Sequence, residues 1–86
     1  MKIYIINVKV EYAKELISHY TISYYFTNRK NAEEFKNDQI KLDVEHGYTK
    51  VDSFSTIKGL EKLTYTIKEL NRAFNDYDNE RGELRK

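Results

Sequence analysis

"GLEKLTYTIKELNRAFNDY" spans residues 59–77. Within it Leu60, Leu63, Ile67, Leu70, Phe74 and Tyr77 recur at alternating spacings of three and four. That spacing places apolar side chains on one stripe of a helix, so an amphipathic helix is expected after the break at Gly59. The rest of the chain must then supply a surface for the stripe to cover. Residues 48–57, "YTKVDSFSTI", are rich in β-branched and aromatic types and read as a strand. The stripe over residues 60–77 also offers a homodimer contact, although it lasts under three heptads and packing on a sheet is the simpler use of it.

Working outward to the N-terminus, residues 2–12 alternate, with Tyr4, Ile6, Val8, Val10 and Tyr12 on one face. Tyr20, Ile22, Tyr24 and Phe26 repeat the pattern, and the two segments pair as an antiparallel hairpin around residues 13–17. The expected register sets Val10 opposite Tyr20 and Val8 opposite Ile22. Ile3, Ile5 and Tyr25 fall on the other, outer face. A helix follows, capped by Asn28, with Asn31 and Glu34 as a competing cap and Glu33 and Glu34 near its positive end. Gly47 followed by Tyr48 reads as a glycine stop, ending this helix near His46. The alternation of Ile40, Leu42 and Val44 with charged residues offers a fourth strand instead. The long helix is preferred because it explains Gly47.

These readings add up to one α+β domain over residues 1–80. It has three antiparallel strands, or four in the alternative, and two helices on one face, in the order ββαβα. The polar residues 81–86 are expected to fray.

Bulk composition removes several function classes. The longest apolar run, Ile3 to Ile6, is far below the roughly 20 residues of a membrane span. The N-terminus lacks a signal-peptide core, and there is no cysteine for a disulfide or thiolate site, so the expectation is a cytoplasmic protein. Net charge is +1, too basic for a nucleic-acid mimic and too weakly basic for a general duplex binder. Charge is uneven, however. Residues 1–30 hold five basic and two acidic groups, whereas residues 31–46 hold five acidic and two basic.

Chemistry-bearing patterns are sparse. His19 and His46 form no His-x-x-x-His pair, so no metal or cofactor is expected. Ser18 and His19 are adjacent in a strand and point apart, so they make no nucleophile–base pair. Nothing here supports an enzyme. Arg29 and Lys30 flank a helix N-terminus, where an anion can sit, and exposed tyrosines can stack bases. Nucleic-acid binding through those residues is therefore the alternative function. Tyrosine beside isoleucine equally suits a protein contact. The candidate partner surfaces are the outer sheet face at Ile3, Ile5 and Tyr25, and the acidic helix at Glu33, Glu34 and Asp38.

The segments "YYFTNRKNAEEF" (residues 24–35) and "GYTKV" (residues 47–51) resemble small proteins encoded by bacterial viruses and mobile elements. In those a strand ending in Phe, a polar cap and an Ala-Glu-Glu-Phe helix recur. Heavy use of Lys, Asn, Ile and Tyr without Pro or Trp looks like an AT-rich genome. The resemblance implies a module that binds a host protein, such as a defence nuclease, and inhibits or redirects it. It assigns no residue a role.

Overall fold

β1 (Lys2–Tyr12) is apolar on both faces at its start, and a strand of that kind needs neighbours on both edges and cover on both sides. In a computed structural model, which describes residues 2–71, 77–78 and 83–84, β1 has both neighbours. One is β2 (Leu16–Thr21), antiparallel with Val8 opposite Tyr20 and Val10 opposite Ser18. An antiparallel hairpin forms as the sequence suggests, but β2 begins at Leu16, inside the expected loop, and ends at Thr21, leaving Phe26 an isolated bridge to Tyr4, and the register is shifted by two residues. A shift of two keeps every side chain on its expected face. The second neighbour is β5 (Glu61–Asn71), paired along its whole length from Lys2 opposite Asn71 to Tyr12 opposite Glu61.

β5 overturns the expected second helix and the ββαβα order. The same residues that fit a helical stripe also contain a period-two row. Leu63 and Tyr65 are buried and Ile67 half-buried on the side facing the hydrophobic core. The intervening run Thr64-Tyr65-Thr66-Ile67 is β-branched and aromatic, and the free edge of β1 supplies eleven ladder partners. No helix spans residues 60–77, so the homodimer contact expected from it falls as well. Of the stripe, Phe74 lies outside the described residues, and Tyr77 belongs to β6 (Tyr77–Asp78), which pairs with β7 (Glu83–Leu84). The expected frayed tail, residues 81–86, lies outside the described residues apart from β7.

The predicted strand over residues 48–57 is two strands, β3 (Thr49–Asp52) and β4 (Ser55–Lys58). Asp52 makes the turn between them. Its Oδ1 accepts from the Phe54 N–H at 3.0 Å and the Ser55 hydroxyl at 2.7 Å, an Asx-type turn. Gly59, with φ +58, opens the two-residue connection from β4 to β5. The sheet is thus five-stranded and antiparallel, in the order β2-β1-β5-β4-β3, with one helix in place of two.

That helix, α1 (Arg29–Glu45), settles residues 39–45 as helical. Asn28 caps it, its side chain accepting from the Asn31 N–H at 2.8 Å. The first turn carries Arg29 and Lys30 rather than an acid. At the far end the Tyr48 N–H donates to the Asp43 carbonyl at 2.9 Å and the Gly47 N–H to the Val44 carbonyl at 3.1 Å. These two bonds form a Schellman motif, and Gly47 takes the positive φ of +96 that it requires. Ala32, Lys36 and Ile40 are the buried face of α1. Ile40 meets Ile6, Val8, Leu63 and Tyr65 in the main core, with Val10, Ile22, Phe26 and Phe35 packed around them.

Candidate functional site

The sequence-selected residues do not converge. Ile3 is 0% exposed and Ile5 8%, so they are core rather than surface, packed with Tyr25 and Leu70 in a second small cluster on the sheet face away from α1. The outer face expected at Ile3, Ile5 and Tyr25 is therefore closed over its two isoleucines. Arg29 lies 3.8 Å from Glu33 and places its guanidinium 5.5 Å from the Tyr4 ring centroid. Glu33 is shared with Lys36, whose ammonium sits 3.2 Å away in a side chain that is nearly buried. Lys30, Glu34 and Asp38 are exposed, on helix positions away from the buried face. Glu33 is thus spent on ion pairs, and the acidic helix surface is reduced to Glu34 and Asp38.

Under the C-terminal half of α1 lies a network that sequence reading missed. Asp43 Oδ2 accepts from the Tyr65 hydroxyl at 2.6 Å and from Thr56 Oγ1 at 3.1 Å. Tyr48 donates to Glu61 at 2.6 Å, and Lys58 donates to the His46 carbonyl at 2.9 Å. The hydrogen bond to Glu61, with burial, pushes the Tyr48 phenol up to about 12. Burial and the bond to Asp43 raise Tyr65, and partial desolvation of a half-exposed ring, with the charges of Asp43 and Glu61, raises Tyr20. These phenols stay protonated at neutral pH, and those of Tyr48 and Tyr65 act as donors. The network clamps α1 to β4 and β5. Among the described residues, no group of three or more histidines and carboxylates gathers as a metal site. No helix among them is long and apolar enough to cross a membrane.

The two edges of the sheet are built differently. β3, at one end, is four residues long, carries Lys50 and Asp52, and has a register break between them. Short length, charge and a bulge are the ordinary protections of an edge strand. β2, at the other end, is the six-residue run Leu-Ile-Ser-His-Tyr-Thr with unbroken register. It has no Lys, Arg, Asp, Glu or Pro. Every residue of it is exposed, including Leu16 at 69%, Ile17 at 52% and Tyr20 at 53%.

The outward backbone groups of β2 follow from the ladder. Tyr4 and Phe26 exchange both N–H···O bonds, at 2.7 and 2.9 Å, and the Ile22 N–H donates to the Ile6 carbonyl at 2.9 Å. Even-numbered residues therefore face the β1–β2 seam. By alternation the N–H and C=O groups of Ile17, His19 and Thr21 point away from the sheet. Among the described residues nothing pairs with that edge. Side chains alternate too: Leu16 and Tyr20 lie on the α1 side, in line with Tyr12, while Ile17 and His19 lie on the other. A run of apolar and aromatic residues with histidine as its one basic side chain was the available signal in the sequence. Against family models, curated proteins and solved structures, the chain finds no match.

Proposed function

We propose that this chain is a small non-enzymatic protein-binding module that takes an extended segment of a host protein along the free edge of β2, and that it serves a mobile element as an inhibitor or modulator. The observation that carries the reading is the contrast between the two edges: β3 is protected and β2 is not. Strand addition draws affinity from main-chain hydrogen bonds and specificity from alternate side-chain contacts. Here Ile17, His19 and Thr21 supply the main-chain groups. Leu16 and Tyr20, four residues apart, favour apolar partner residues four apart on the α1 side. An acidic residue suits the opposite side, where His19 and Lys9 are cross-strand neighbours.

Affinity capture from a host lysate, followed by hydrogen exchange on the isolated complex, tests this. Relative to the free chain at a concentration where it is monomeric, the Ile17, His19 and Thr21 amides should gain protection when the partner binds. His19→Pro should abolish capture while the chain keeps its folded circular-dichroism spectrum and a cooperative melt, because the lost N–H points outward and proline is tolerated on an edge. Ile17→Lys, which leaves every backbone donor in place, should also weaken capture. A partner retained by both variants, or salt-sensitive retention of nucleic acid in its place, would overturn the reading.

A further inference from the structure

We infer that in the absence of a partner the β2 edge is occupied by a second copy of this chain, in an antiparallel β2–β2′ pair centred on Ser18. The inference rests on the proposed use of the edge and concerns how that edge is regulated: self-association hides it until a partner competes. Two constraints select the arrangement. Side chains directly opposite each other across a sheet share a face, so a two-fold axis normal to the sheet must relate residues of equal parity. The outward groups belong to odd residues, so odd must meet odd in the hydrogen-bonded pairs.

Two central registers satisfy both constraints. Centring on His19 opposes two imidazoles. Centring on Ser18 opposes two small hydroxyls, sets Ile17 against His19 of the second copy in bonded pairs, and sets Leu16 against Tyr20 twice. Those Leu–Tyr pairs are non-hydrogen-bonded, the closer type, where apolar and aromatic side chains gain most. No like charges meet within the strand. Tyr12, half exposed and directly opposite Leu16 in its own sheet, extends the covered apolar row on the α1 side. The two five-stranded sheets become one continuous sheet with both helices on the same side.

Because the natural chain contains no cysteine, single substitutions read the register directly. Under mild oxidation Ser18→Cys should cross-link to a covalent dimer about tenfold faster than His19→Cys, since only Ser18 meets its own copy. Light scattering should give a dimer for the unmodified protein and a monomer for His19→Pro, with Ile17→Lys as the second edge variant. Faster cross-linking of His19→Cys would overturn the register. A monomer for the unmodified protein at every concentration would overturn self-association. That result leaves partner capture with edge protection as a separate measurement, so the two readings fail independently.

Discussion

The Tyr65 hydroxyl donates to Asp43 Oδ2 at 2.6 Å, joining the centre of β5 to the last turns of α1 across 22 positions of sequence. Thr56 of β4 donates to the same oxygen. One half-buried carboxylate thus holds three elements. Tyr65→Phe removes the shorter bond and should cost about 1.5–3 kcal/mol, the range for a hydrogen bond to a charged group. Asp43→Asn keeps an acceptor and should cost less. Asp43→Ala leaves two hydroxyls without their acceptor and should cost most. Urea unfolding of the singles and of the Tyr65→Phe/Asp43→Ala double should show clear non-additivity. Additive losses would mean that the two groups act separately.

Tyr48 gives the network a pH signature. Its phenol is held up to about 12 by Glu61, against about 10 for a free tyrosine. A group whose folded pKa is raised contributes its stability in full below the unfolded value and loses it as pH rises through the folded one. The loss should therefore fall between about pH 10 and 12. Unfolding free energy measured by urea titration across that window should decline, with Tyr20 and Tyr65 adding in the same direction. Tyr48→Phe should flatten the decline by about one proton. An unchanged slope in that variant would show that Glu61 does not hold this phenol.

The start of α1 separates a cap from a charge. Asn28→Ala removes the bond to the Asn31 N–H and should cost about 1 kcal/mol. Replacing both Arg29 and Lys30 by Ala should leave stability within about 0.5 kcal/mol. The exposed Arg29–Glu33 pair and the Arg29–Tyr4 ring contact are each worth at most about 1 kcal/mol. Removing two cations from the positive end of a helix returns about as much. Thermal melts of the two variants should therefore differ, and equal losses would place the contribution in the charges.

Much of this fold can be read from residues acting locally. Asn28 and Gly47 bracket α1 because a cap and a left-handed stop are decided within a few residues. The alternation of β1 is equally local. β5 is not, since Leu60, Leu63, Ile67 and Leu70 satisfy a helical stripe while Leu63, Tyr65 and Ile67 satisfy a strand. The choice between them belongs to β1, whose second edge needs a partner. Ile3-Tyr4-Ile5-Ile6, apolar on both faces, is the sequence mark of such a central strand. The split between β3 and β4 turns on the side-chain bonds of Asp52, which composition does not reveal. The candidate edge depends on topology alone: Leu16 to Thr21 becomes an edge only once β5 has taken the other side of β1.

The β1–β2 connection offers a change that should stabilise the fold. Ala13 and Lys14 both adopt the left-handed region, with φ of +56 and +62, and the Glu15 N–H closes the turn on the Tyr12 carbonyl at 3.1 Å. An L-residue other than Asn, Asp or Gly gives up roughly 1–2 kcal/mol in that conformation. Asn tolerates it through local hydrogen bonds and Gly adopts it freely, although Gly returns up to about 1 kcal/mol through unfolded-chain entropy. Ala13→Asn keeps the N–H that donates to the Leu60 carbonyl at 2.9 Å, so the tie to the β4–β5 turn survives. The Ala13→Asn/Lys14→Gly double should gain about 1 kcal/mol and raise the melting temperature by about 4–8 °C. Ala13→Val, β-branched in the same conformation, should move it the other way. Because the turn sets which residues of β2 face outward, the stabilised variant should keep Ile17, His19 and Thr21 on the free edge. A melting temperature that does not rise would mean that the turn relaxes out of the left-handed region in solution.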